Sequence, residues 1–279
     1  MGYDNFLPEI WSQIILKSFN KNSVMASLVN RDYEGEIKKA GDVVHIRSLG
    51  SVTVKNYTRD AAITYDTLSD PKQLLTINQQ RYFAFRVDDL DIAQSDIKII
   101  EEYTEQAGIA VRDAIDTYLY NHYTEIPTAN IVGGASTTIA ITKTNIYDNI
   151  TLMAEMLDNN NVPQEDRVLI VSPRFKRILL QSDAFTRATS LGDQAIQTGF
   201  LGSVSGFKVY VSTNVPTLAG GVVPILAFHK DFVTLASQVN NVEHVRPTDL
   251  FAHAVRGLYL FGSKVVRPEA GAWLRCTMA

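Results

Sequence analysis

One cysteine, Cys276, stands among 279 residues, so no intrachain disulfide can form and no cage of thiolates can hold a metal. A reducing compartment is the simplest setting. No stretch approaches the ~20 apolar residues that a membrane span requires, and residues 1–19 lack a basic start followed by an apolar run. An unexported, soluble protein with no membrane partner is therefore expected, and the sequons at Asn56 and Asn149 then carry no glycan. A basic excess is also missing: 26 Lys and Arg face 30 Asp and Glu, a formal net charge of −4. No global positive field exists to displace counterions from a phosphate backbone. What is present is ordinary globular material, 46% hydrophobic and 20% charged, enough for a sizeable core and contrary to disorder.

Motifs that carry chemistry are equally scarce. The histidines, His45, His122, His229, His244 and His253, show no HExxH or similar ligand spacing. His229 and His253 lie in strand-like patterns and read as satisfied, half-buried side chains. Asp88, Asp89 and Asp91 could hold a magnesium ion through hard oxygen ligands. They fall where a strand gives way to a long helix, however, and aspartates there are expected to cap free amides and complement the helix dipole. Two Ser-x-x-Lys matches, Ser95 to Lys98 and Ser205 to Lys208, lack the companion motifs of serine acyl enzymes. The run Gly202-Ser203-Val204-Ser205-Gly206 has valine where a nucleophile elbow needs serine. No phosphate loop or dinucleotide fingerprint occurs. The residues therefore nominate no catalytic, cofactor-binding or metal site, and no cofactor.

The pattern along the chain is richer. Ile10, Trp11, Ile14, Ile15 and Phe19 form a helical stripe whose burial could be on its own domain or on a neighbour. From Gly41 the period becomes two: Val44 and Ile46, then Val52 and Val54 beyond Gly50, and later Phe83, Phe85 and Val87. The strands near 42–49 and 81–87 are expected to pair with each other while a polar middle, 51–75, projects without a core of its own. Ala93, Ile97, Ile100, Tyr103, Ala107, Val111, Ala114 and Tyr118 then predict one helix over about 92–123, roughly 45 to 50 Å long. Ile146, Ile150, Met153 and Leu157 predict another. Val168 to Val171 reads as a buried strand, and Ser172-Pro173 opens a helix through Phe175 and Leu179. The remainder is rich in strands, and the fold class is α+β.

The segment from Gly199 to Pro216, a glycine-rich turn leading into Phe207-Lys208-Val209-Tyr210-Val211, resembles a segment of tailed-bacteriophage major capsid proteins. Val168 to Pro173 with Phe175 and Leu179 is similar to the strand and helix before it. Asn30 to Glu34 ahead of Gly41 to Val44 adds to the likeness, and the order of elements extends it over nearly the whole chain. The resemblance implies the Hong Kong 97-type fold: residues 1–40 an N-terminal arm, 41–88 an extended β-loop with peripheral-domain strands, 89–123 the spine helix, 124–245 the axial α+β domain, and 246–279 C-terminal strands returning to the peripheral domain.

It also implies a non-enzymatic protein that self-assembles as hexamers and pentamers into an icosahedral head enclosing double-stranded DNA. Such a chain is part of the virion and is put together in the host bacterial cytoplasm with a portal. A separate scaffolding protein, or a chain already matured, is expected, since no long helical scaffolding region is read here. Two rivals follow: an encapsulin-like nanocompartment shell, and a soluble α+β enzyme with an unrecognised site. A mildly acidic wall suits a container, which leaves packed polynucleotide free to move. The isolated chain is accordingly expected to bind duplex DNA weakly and without sequence preference. A nanomolar complex in a filter-binding assay at physiological salt would contradict this.

Overall fold

The computed structural model describes residues 24–32, 43–47, 54–56, 59, 72–89, 98–134, 136–182, 202–247 and 251–278. The expected N-terminal helical stripe, Asp91, Ser95 and most of the polar middle of the β-loop lie outside the described residues.

Two sheets share the core. The larger is built on strand β6 (Arg167–Val171), buried along its whole length. Beside β6 run β8 (Phe207–Val211), parallel, and β9 (Val223–His229), antiparallel. The sheet is completed by β7 (Ser203–Val204) against β8 and by β12 (Gly271–Met278) against β9. Two short parallel strands, β4 (Ile131–Val132) and β5 (Ile139–Ile141), line the far side of β12. Helix α3 (Ile146–Asn159) buries Ile146, Ile150, Met153 and Leu157, the stripe its sequence spacing predicts. Helix α4 (Pro173–Leu180) starts as its sequence dictates: the Ser172 hydroxyl accepts from the Phe175 amide at 3.3 Å, with Pro173 in the first turn. Arg167, 2% exposed, closes the loop between α3 and β6 by donating to the Pro163 and Val162 carbonyls and to Asp158.

The smaller sheet is antiparallel, in the order β10 (Val233–Val245), β11 (Ala252–Val265), β3 (Gln79–Asp88). Helix α2 (Lys98–Tyr120) crosses it and spans about 35 Å at the usual rise. It ends earlier than its spacing predicts. Residues 121–125 tighten into a 3-10 turn that sets the Tyr123 ring edge-on to Trp273, 5.2 Å between centroids. The buried face is also rotated from the expected one. Thr104, Gly108, Val111, Ile115 and Leu119 are buried, whereas Tyr103 and Tyr118 lie at the margins, their rings against Phe85 and Phe261. Aromatic rings reach the sheet from a flank, so they need not sit on the central line of the helix. A short helix α1 (Met25–Leu28) packs on α2, and Asn30 bridges on to β10.

Pairing of the β-loop differs from the sequence expectation. The strand β1 (Val43–Arg47) pairs with β2 (Lys72–Thr76), whereas β3 pairs with β11, from Ala252↔Asp88 to Phe261↔Gln79. The reason is burial. Ile46, Leu75 and Ile77 cluster with Ala236 and Leu260 on the outer face of the smaller sheet, each apolar side chain contributing about 1.5 to 3 kcal/mol. Strand β2 is therefore anchored on the subunit's own sheet through Leu75, and only the stretch before it remains a candidate projecting segment. Gly262 permits the contact: a Cβ there would lie 2.3 Å from the Thr76 carbonyl oxygen.

The C-terminal strands also divide. β11 pairs with β3 and β10, whereas β12 enters the larger sheet. Both crossovers between sheets pass one point. The Phe232 carbonyl accepts from the Val266 amide at 2.9 Å and the Arg267 amide at 3.4 Å. Its ring is fully buried, 6.0 Å from that of Phe228.

The β7–β8 turn places Ser205 at φ 49° and Gly206 at φ 82°, positive at both central residues as a two-residue hairpin of type I′ requires. Nothing lies within 4 Å of a Cβ built on Gly206, so backbone conformation alone opposes substitution. Gly206→Val is expected to destabilise the chain by at least about 1 to 2 kcal/mol, and Ser205→Asn to stabilise it slightly. Urea denaturation of the two variants checks both signs.

Candidate functional site

The residues nominated by sequence patterns do not converge. Ser203 is exposed on β7, Val204 beside it is buried, and Ser205 sits in the turn. Lys208, the partner in Ser-x-x-Lys, gives its ammonium to Asp166 at 2.8 Å on the surface. That hydrogen bond holds the Asp166 carboxyl below the usual range and Lys208 above it. His229 accepts from the Asp231 amide at 3.2 Å and so caps the short turn through Phe232. Among the described residues no group of three or more His, Cys, Asp or Glu is arranged to hold a metal ion.

In the described part of the acidic cluster, Asp89 follows β3 directly and is held by three contacts. Its Oδ2 lies 2.7 Å from Arg246, its Oδ1 3.5 Å from Nε2 of His253, and its amide donates to the Phe251 carbonyl at 3.1 Å. The carboxylate thus ties the end of β3 to Arg246 after β10 and to His253 at the start of β11. His253 in turn shares a hydrogen bond with His244, Nδ1 to Nε2, at 3.0 Å. Burial, and then the neighbouring His253, holds His244 below its ordinary range.

Sequence reasoning missed a second hydrogen-bonded chain. His122, after α2, has Nδ1 2.6 Å from Glu125 and Nε2 2.5 Å from the Ser263 hydroxyl on β11. The order serine, imidazole, carboxylate is that of a charge relay. Its setting is that of a clamp: Tyr118 lies edge-on to the ring at 5.6 Å, and Ser263 sits within the β10–β11 ladder opposite Leu235. The chain fastens the end of α2 to the sheet beneath it. The Glu125 spacing was visible in the sequence, but Ser263 lies 141 residues away.

Among the described residues, the β1–β2 pair covers part of the outer face of the smaller sheet. Beyond the β1–β2 hairpin, Tyr82 and Leu258 stand opposite each other, 80% and 40% exposed, next to the Arg256–Glu243 ion pair. Tyr82, Ala84 and Leu258 line a groove there. α2 thus lies on one face of this sheet and the β1–β2 pair on part of the other, with Tyr82 and Leu258 left open beside it.

The sequence profile of the phage capsid protein family matches residues 73–274, and the chain belongs to that family. No curated protein matches it. Among solved structures it is similar to a chain of Mycobacterium phage Che8, 28% identical, TM-score 0.74, with 91% of each chain covered. The capsid structure of the cyanophage P-SCSP1u is similar at 18% identity and TM-score 0.74, covering 92% of this chain and 89% of that one. A virus-like particle from Pyrococcus furiosus is more distant, 12% identical with TM-score 0.60, covering 96% and 99%. The fold is the Hong Kong 97-type, and the protein is a phage capsid protein, a structural subunit of a multimeric shell in the virion.

The His244 shift carries a pH dependence. A ring whose folded pKa is depressed is favoured neutral by the fold, so its contribution is complete above about pH 6.5 and is lost as pH falls below that value. The melting temperature is expected to decline from pH 7 to pH 5, and to decline less in His244→Gln. Thermal melts followed by circular dichroism at four pH values test this. Equal slopes in the two proteins would remove the ring from the account.

Proposed function

We propose that this chain is the major capsid protein of a tailed bacteriophage. Its hexamers and pentamers close an icosahedral head around double-stranded DNA, with a portal and a separate scaffolding protein, in the host cytoplasm. The observation that carries the reading is similarity over nearly the full length of both chains to a chain of phage Che8, together with the family match. α2 and the three-stranded sheet serve as the peripheral domain, and the larger sheet with α3 and α4 as the axial domain, β12 included. The mildly acidic composition suits a wall that encloses DNA without gripping it.

The nanocompartment alternative rests on the Pyrococcus particle, which at 12% identity and TM-score 0.60 is the weaker likeness. Expression of the chain alone or with a scaffolding protein, followed by negative-stain microscopy, tests the main reading. Capsomers or closed shells are expected, and a monodisperse small oligomer under all conditions would overturn it.

Residues 51–70 lie between β1 and β2, and the reading makes them a loop reaching a neighbouring subunit. Replacing 51–70 by a Gly-Ser linker, which spares β2, is expected to leave melting within a few degrees of the parent and to abolish closed shells. Unfolding of the variant would place the segment in the subunit core. Normal particles would remove it from assembly.

A further inference from the structure

His244 and His253 lie near facing ends of β10 and β11, and their rings meet 4.9 Å apart between centroids. The nitrogens that face each other, Nε2 of His244 and Nδ1 of His253, are 3.0 Å apart. A tetrahedral ion with metal–nitrogen bonds of about 2.0–2.1 Å spans two ligand nitrogens about 3.3 Å apart. A small opening of the rings therefore admits an ion where a proton is now shared. Behind His253 stands the Asp89 carboxylate, whose Oδ1 is buried, has no hydrogen-bond partner and lies 3.5 Å from Nε2 of His253.

We propose that His244 and His253 form a two-imidazole site for a borderline divalent transition-metal ion of the Zn2+ class, with Asp89 as the carboxylate that orients His253. Several features point the same way. A carboxylate facing Nε2 fixes the proton on that nitrogen and leaves Nδ1 with its lone pair toward His244, the arrangement by which ligating histidines are commonly held. An ion that draws charge from the ring would make Nε2–H a stronger donor toward the unpartnered Oδ1. Burial favours a neutral His244 ring, which is the ligating form. Arg246 occupies the other carboxylate oxygen at 2.7 Å, so Asp89 offers Oδ1 to His253 and is not itself drawn on to the metal. No third protein donor converges among the described residues, and water completes the coordination. The ion joins the end of β10 to the start of β11, with Asp89 bracing the His253 ring from the end of β3.

Isothermal calorimetry of the full-length protein with Zn2+, at pH 7 and pH 6, reads the site. One ion per chain is expected, bound several-fold more weakly at pH 6 because protons compete for the same nitrogens. His253→Gln and His244→Gln should each weaken this step at least tenfold, and Asp89→Asn by about tenfold or more through loss of the orienting carboxylate. A double variant, His244→Gln with His253→Gln, that takes up Zn2+ as tightly as the parent would overturn the proposal, since the ion would then sit elsewhere. Should a variant fail to fold by circular dichroism, the unaltered protein decides. Its electron paramagnetic resonance spectrum with one equivalent of Cu2+ must show two imidazole nitrogens, and a spectrum with fewer sinks the assignment.

Discussion

The carbonyl oxygen of Phe232 joins what would otherwise be two separate sheets. The chain passes from the larger sheet to the smaller between β9 and β10, and back again between β11 and β12. At the shared corner one oxygen accepts from two successive amides of the returning strand. The ring beneath it is fully buried beside Phe228. Because both crossovers are fixed at one point, the apolar residues of the two sheets run into a single cluster that includes Leu235 and Phe261 from one and Leu226 and Trp273 from the other. The placement of α2 follows, since its end rests on Trp273 through Tyr123 and on β11 through His122.

Irregular connections are held by polar side chains that take over backbone hydrogen bonding. Arg167 fastens the loop after α3. Asn130 donates to the carbonyls of Glu269 and Gly271 and accepts from Asn160, linking three distant turns. Tyr120, buried within the core, donates its hydroxyl to the Pro224 carbonyl at 2.7 Å, and burial drives its phenol well above the ordinary range. The sheets supply the apolar contacts, and these few buried donors fix how the ends of the strands are arranged around them.

Local features were legible in the sequence: the apolar stripe of α3, the continuous run of β6, the capping serine and proline of α4, and the positive-φ turn at Gly206. Each depends on residues within a turn or two of one another. Partnerships between strands were not legible. Alternation at 44–46 and 83–87 identifies two strands, but nothing in it distinguishes pairing with each other from pairing with 72–76 and 252–261. Burial of Ile46 and Leu75 against Leu260 decides that, across nearly two hundred residues. The same limit hid the candidate site. His244 and His253 are nine positions apart, and only the register of β10 on β11 brings their rings together beside Asp89.

The lone cysteine, first informative for the bonds it cannot make, also bears on how the fold opens. Cys276 lies on β12, fully buried, its Sγ 3.2 Å from the Val223 carbonyl, and burial pushes its thiol up to about 12. Alkylating reagents attack the thiolate, so the folded larger sheet leaves this sulfur inert. Reaction then requires β12 to part from β9. With a single thiol in the chain, the alkylation rate clocks that separation directly, and a labelled shell would record which of its subunits had opened at the sheet rather than at their contacts.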